Sequence, residues 1–451
     1  MLGTFKAITI LVSLLLIGGS WGLFATINAR LLAEQASILS TARNLRDEGQ
    51  YDEAITLFNQ AMEMTEGIEV DLLYEVAQVR RSAGLFSQYR EDILTLIENE
   101  TPPSGQNLAD LYLELANFDL EGSGNLANTV LFLREGWEAT NDSRLFNLHE
   151  QHRYIFDRRG GIFTHISIIQ NDAGRVRQGE IYGFVNQIGN NLMSPTFELA
   201  TDFANDLAVV QNENGLHVVN RGGQIQATAD FRADSIAHFN GATFALRLAS
   251  ENYYRLGIFN QNQLIYDNTT YNFIGMPSEN IQAFQQNDLW ALHDVGGTLP
   301  FTFTHEGFAM DELGRVAVNG RMFLIQNGRY QMVDLALNPI GSPFDEARPF
   351  FEVGGLAAVR QGDLWGFANA NGEVVIDFRF RDAKSSSENL APVMTFDLWG
   401  FLTVEDFPPE FQEIFGTLVI ESQFIEAGQF INGVAPVRQE SGWFYIMLIG
   451  G

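Results

Sequence analysis

The sequence predicts a multidomain chain in three parts: an N-terminal transmembrane helix, a block of paired α-helices, and a long all-β repeat array. Three observations carry this. Residues 7–29 hold no charge, the hydrophobic period changes from helical to alternating near 158–161, and a glycine-centred pattern recurs every 32–44 residues toward the C-terminus. A length of 451 residues suits about three domains. The boundaries fall at 1–30, 31–158 and 160–451.

Composition removes several functions. With 56 Asp and Glu against 27 Lys and Arg, the net charge is −29, which repels nucleic acid. The absence of Cys excludes disulfide staples, thiolate zinc sites, a cysteine nucleophile and a lipid-modified cysteine. The 36 Phe and 42 Gly indicate a folded, β-rich protein rather than an acidic disordered one. Only two cations are lysines, Lys6 and Lys384.

The uncharged run between Lys6 and Arg30 would make a helix of roughly 35 Å, enough to cross a hydrocarbon core of about 30 Å. A cleaved signal peptide is the alternative. The run is longer than a usual signal core, and no clean small-x-small site closes it; Ile27 and Ala29 come nearest. The expected location is a cell membrane, crossed once with the N-terminus inside and residues 31–451 extracytoplasmic. Cleavage would instead give a secreted protein.

From 31 to 158 apolar residues fall at helical spacing. Leu39, Ala42 and Leu45 face one way on a first helix, and Ala54, Phe58 and Ala61 on a second, with a glycine turn between. Gly49, Tyr51, Ala54, Phe58 and Ala61 resemble the tetratricopeptide repeat. A second copy places Gly84 and Phe86 35 residues further on, with Tyr89 where the small alanine belongs. A weaker third pair follows, and the helix near 142–156 would close the stack. The resemblance implies a concave wall carrying Arg43, Tyr74, Gln78 and Arg81 as candidate partner-binding residues; ordinary solvated positions are the alternative. Leu39 and Arg43 replace the Lys and Asn of carboxylate-clamping repeats, which disfavours binding of chain termini.

From 160 to 451 short alternating runs are punctuated by Asn and Gly, the pattern of strands joined by tight turns. Trp365, Gly366, Phe367, Asn369 and Gly372 resemble the WG (KWG) repeat family. Tyr182, Gly183 and Phe184 give an early copy, and Trp399, Gly400 and Phe401 a later one. The glycine position recurs at Gly183, His217, Gly257, Ala291, Phe323, Gly366, Gly400 and Phe444. Turn residues are expected at Asn186, Asn220, Asn260, Asp294, Asn369 and Asp406. Such a period implies a propeller-like array of seven or eight units, with an open β-solenoid as the alternative. Pairing of the strand at 161–170 with the last hairpin would close the ring and remove exposed edges. The tryptophans, glycines and turn asparagines are read as packing and turn residues.

No catalytic motif emerges. His149 and His152 stand one turn apart, without the spacing of a zinc helix, and read as surface histidines of a capping helix. The sequences at 212–215 and 369–372 lack the further acids of a calcium loop and read as hairpins. No cofactor and no metal are expected, and nothing selects a carboxylate pair from the 56 acids. The expected function is a non-enzymatic, membrane-anchored scaffold of a bacterial envelope, an origin implied by the WG resemblance. It would bind an unidentified protein or envelope component and no nucleic acid. The alternatives are a propeller-type enzyme acting on envelope polysaccharide and a ligand-sensing ectodomain.

Overall fold

A computed structural model describes residues 29–64, 69–122, 125–294, 299–407 and 409–449. The chain divides into two compact units between Arg153 and Tyr154, a few residues before the period changes in sequence. The expected membrane segment lies outside the described residues except for its last residue. Among the described residues no helix is long and apolar enough to cross a membrane.

The first unit contains seven α-helices among the described residues. They are α1 (29–47), α2 (Tyr51–Glu63), α3 (Val70–Ser82), α4 (Phe86–Glu98), α5 (Leu108–Glu121), α6 (Leu126–Thr140) and α7 (Ser143–Arg153). The first two pairs turn identically. Gly49 and Gly84 both have φ +75°, a left-handed conformation that costs glycine nothing. The Gln50 N–H donates to the Leu45 carbonyl at 2.8 Å and the Leu85 N–H to the Arg80 carbonyl at 2.9 Å, so one helix cap is reproduced 35 residues along the chain. Ala42, Ala54, Phe58 and Ala61 are fully buried together, with Phe58 filling the space the alanines leave. Tyr89, in the place of Ala54, is buried as well.

The second unit is an eight-bladed β-propeller. Blade 1 comprises His165–Ile166, Ala173–Gln178, Ile181–Asn186 and Asn191–Phe197, paired in that order. The same meander repeats in blades 2 (199–228), 3 (233–266), 4 (273–294), 5 (307–334), 6 (346–380) and 7 (382–424). Blades 4 and 5 have three continuous strands; isolated pairings such as Trp290 with His305 and Tyr330 with Phe344 stand in for the fourth. Blade 8 takes three strands from 426–448 and its outermost strand from Phe156–Phe163. That strand runs antiparallel to Gly442–Leu448, with Phe156 opposite Leu448 and Phe163 opposite Trp443. The ring is therefore closed, and the solenoid alternative is set aside.

Three details of the sequence reading are corrected. The closing strand starts at Phe156 rather than at 161, and His165–Ile166 already belongs to blade 1. Gly160 and Gly161, which mark a boundary in sequence, lie inside this strand within its irregularity between Arg159 and Phe163. In blade 5 the residue opposite the second strand's Leu324 is Gln331, so Phe323 belongs to the second strand and does not occupy the glycine position. Gly257 also lies two residues past the equivalent position, which is Arg255 opposite Leu246.

The well-formed copies behave as the motif suggests. Trp365 and Trp399 are 4% and 5% exposed, and Phe184, Phe367 and Phe401 are fully buried. A Cβ on Gly366 or Gly400 would come within 2.5 Å of a carbonyl oxygen of the outermost strand, and one on Gly183 within 2.6 Å. Glycine is there because the fourth strand crosses directly over it.

Candidate functional site

The short first strand of each blade delivers the next one or two residues to the propeller axis: Ser167, Asp202, His238, Met276, Arg348, Lys384 and Gln429 line cavities there. Blade 5 departs from this pattern. After Ala309, whose N–H pairs with the Phe323 carbonyl, extra residues precede the pairing of Val318 with Arg321. The Asp311 carboxylate folds them into a turn, accepting the N–H groups of Leu313 (3.0 Å) and Arg315 (2.9 Å) and Arg315 Nε (2.6 Å).

Four other blades hold this loop. His238 Nδ1 lies 2.8 Å from the Leu313 carbonyl, which fixes the proton on that nitrogen as donor. The Met276 N–H donates to the Gly314 carbonyl at 2.8 Å, and Arg315 Nη2 to the Phe351 carbonyl at 2.9 Å. Glu312 is ion-paired with Lys384. Burial raises the Asp311 carboxyl above the usual range even beside Arg315, and burial lowers His238.

Glu312 borders three cavities, of about 810, 250 and 80 Å³. The largest lies where blades 8 and 1 meet. Its three cations are each paired with a carboxylate: Arg175 with Asp202 at 3.3 Å, Arg438 with Glu426 at 2.5 Å, and Lys384 with Glu312. Gln178, Gln439, His165 and Trp443 also line it. Burial lowers His165 as well. This site leaves no direct sign in the sequence, because the blade 5 loop follows an Asp-x-x-Gly turn pattern that elsewhere joins the third and fourth strands.

In the helical unit, three of the four candidate residues converge. Tyr74 Oη, Gln78 Nε2 and Tyr89 Oη all donate to the Glu114 carboxylate, at 2.8, 2.6 and 2.8 Å. The Arg81 guanidinium sits 5.5 Å from the Tyr89 ring and 5.3 Å from Phe118. Arg43 stands apart, in a two-pronged pair with Glu75 at 2.8 Å and 3.0 Å. The hub residue, Glu114, was not singled out in sequence. Tyr89 in an alanine position was the available signal, since a buried hydroxyl requires a partner.

His149 is 5% exposed and lies 3.1 Å from Glu150, which corrects the surface reading for that residue. Among the described residues no group of three His, Asp or Glu is placed to hold a metal. Asn369 accepts the N–H groups of Asn371 and Glu373, and Asn212 that of Asn214, as hairpin turns do.

Comparison with known proteins identifies the repeat. The family described as "WG containing repeat" matches residues 182–215, 344–365, 365–399 and 413–443, segments that run through blades 1, 2, 6, 7 and 8. No curated protein matches the chain. Among solved structures, the chain is similar to Hsv2 of Kluyvelomyces marxianus at 9% identity, covering 60% of this chain and 100% of that one, with a TM-score of 0.37. It is similar to YCF48 from Cyanidioschyzon merolae at 11% identity, covering 65% and 97%, with a TM-score of 0.30. A structure described as YCF48 bound to D1 peptide matches at 10% identity, covering 64% and 99%, with a TM-score of 0.31.

Proposed function

We propose that this WG-repeat propeller is the binding module of a non-enzymatic scaffold, anchored in a bacterial cell membrane by residues 7–29 and exposing both repeat units to the envelope. The helical pairs are read as tetratricopeptide-like, and the partner as a protein or envelope component. The observation that supports binding over turnover is the state of Asp311. It is the most deeply buried carboxylate at the axis, and its own turn and Arg315 consume it. The other axial charges are paired with one another, whereas glycoside hydrolysis needs two carboxyls free to face a substrate.

Crosslinking of the full chain in its native envelope, followed by mass spectrometry, tests the reading. Recurrent links from either unit to one envelope component support it; links to none contradict it. Release of the full-length protein by alkaline extraction would contradict the anchor. A ligand-sensing ectodomain is the second reading, favoured by the 810 Å³ cavity, which lies in the size range of small-molecule sites.

A further inference from the structure

We infer that the cavity where blades 8 and 1 meet binds a neutral polyhydroxylated ligand, a sugar unit or short glycan. This names a ligand class within the binding reading above and rests on it.

The site arises from a departure within the repeat. In blades 6 and 7 the residue following the first strand is a cation that covers the motif tryptophan: the Arg348 guanidinium lies 4.6 Å from the Trp365 ring, and Lys384 Nζ 5.8 Å from Trp399. In blade 8 the same place is held by Gly428, whose N–H pairs with the Pro436 carbonyl as the Lys384 N–H pairs with that of Pro392. A Cβ on Gly428 would meet Pro436 Cγ at 2.6 Å, so no covering side chain fits. Trp443, in the position of Trp365 and Trp399, is left half-buried and lines the cavity, with the His165 ring meeting it edge-on at 5.7 Å.

The polar groups select the ligand's charge. The three cations of the cavity are each paired with a carboxylate, and Glu440 is a further acid at its edge. An anion would have to displace those carboxylates, and a cation would meet only Glu440 at the edge unless it displaced Arg175, Lys384 or Arg438. Among the described residues, the amides of Gln178 and Gln439, the His165 ring nitrogens and Trp443 Nε1 make no hydrogen bond within the protein. These free groups are neutral and supply both donors and acceptors. A sugar ring offers an apolar C–H face to an aromatic wall and hydroxyls around its edge to such groups. A volume of about 810 Å³ accommodates more than a single small ion or water cluster.

The test is titration of the full chain with a panel of neutral oligosaccharides, including β-linked glucose and N-acetylglucosamine oligomers, read by calorimetry and tryptophan fluorescence at low and high salt. Saturable binding that salt leaves unchanged is expected. Gln439→Ala and Gln178→Ala, both at accessible positions, should each weaken it about tenfold, the scale of one lost hydrogen bond. Trp443→Ala should abolish it, and the two glutamine variants keep the test valid if that protein fails to fold. Absence of binding by every neutral oligosaccharide at millimolar concentration overturns the proposal, as does salt-sensitive preference for anionic glycans or indifference to both glutamine changes. If the proposal fails while crosslinks to an envelope partner persist, the scaffold reading stands without it.

Discussion

Substituting Gly366 by alanine would place a methyl carbon 2.5 Å from the Ile376 carbonyl oxygen and 3.0 Å from Asp377 C and Phe378 N, all backbone atoms of the outermost strand of blade 6. Backbone cannot rotate aside as a side chain can. The strand pair already slips register between Trp365 and Phe367, so accommodation must open the ladder further. Overpacking of this kind costs about 1–3 kcal/mol, and a lost ladder hydrogen bond about 1 kcal/mol more, giving about 3 kcal/mol. Gly362→Ala is the matched control: it lies in the hairpin of the same blade with φ +62° and nothing within 4 Å of a new Cβ. That change carries only the left-handed backbone term of about 1–2 kcal/mol. Urea unfolding, combined with hydrogen exchange over residues 364–380, separates the two. Gly366→Ala should lower the midpoint clearly more and speed exchange mainly in blade 6. A loss no larger than that of Gly362→Ala would refute the argument that glycine is there for close strand approach.

Glu114→Ala should destabilise the helical unit by about 2–4 kcal/mol, because three donors including the buried Tyr89 hydroxyl lose their acceptor; a thermal melt unchanged from the parent would contradict this. Burial lowers His165, His217, His238 and His305 in the propeller. The unfolded chain therefore takes up these protons first, and propeller stability should fall as pH drops below about 6.5. Asp311 and Glu352, both raised, act in the opposite sense at lower pH. A urea midpoint that rises between pH 7.5 and 5.5 would contradict the histidine assignment. Lys384→Met should cost no more than about 1 kcal/mol, since Glu312 is 48% exposed, and a much larger loss would show that the axial loop depends on this pair. Removing residues 156–163 should open the ring, detected as rapid exchange in 442–448; protection there without the strand would contradict closure.

Much of the architecture was legible because repeats announce themselves. The identical caps at Gly49 and Gly84, and the Trp-Gly-Phe runs at 365–367 and 399–401, carry strong local signals tied to a single packing role. Decayed blades were harder to register. Phe323 replaced Gln331 as the apparent motif position because alternation is the same in adjacent strands of a hairpin. The axial loop was missed for a different reason: Asp311 to Gly314 reads as one more turn, and only the closed ring brings His238, Met276, Phe351 and Lys384 around it. Likewise Glu114 gained meaning once α3, α4 and α5 were side by side. Long-range convergence of this kind leaves no mark in local spacing.

The proposal that the propeller binds without turnover makes two outcomes separable. Its most direct test is incubation of the purified full chain with neutral cell-wall oligosaccharides while bound ligand and new reducing ends are followed together. Saturable binding with every oligosaccharide recovered intact is expected. Reducing ends that accumulate in proportion to the protein, and vanish in an Asp311→Asn variant, would contradict it.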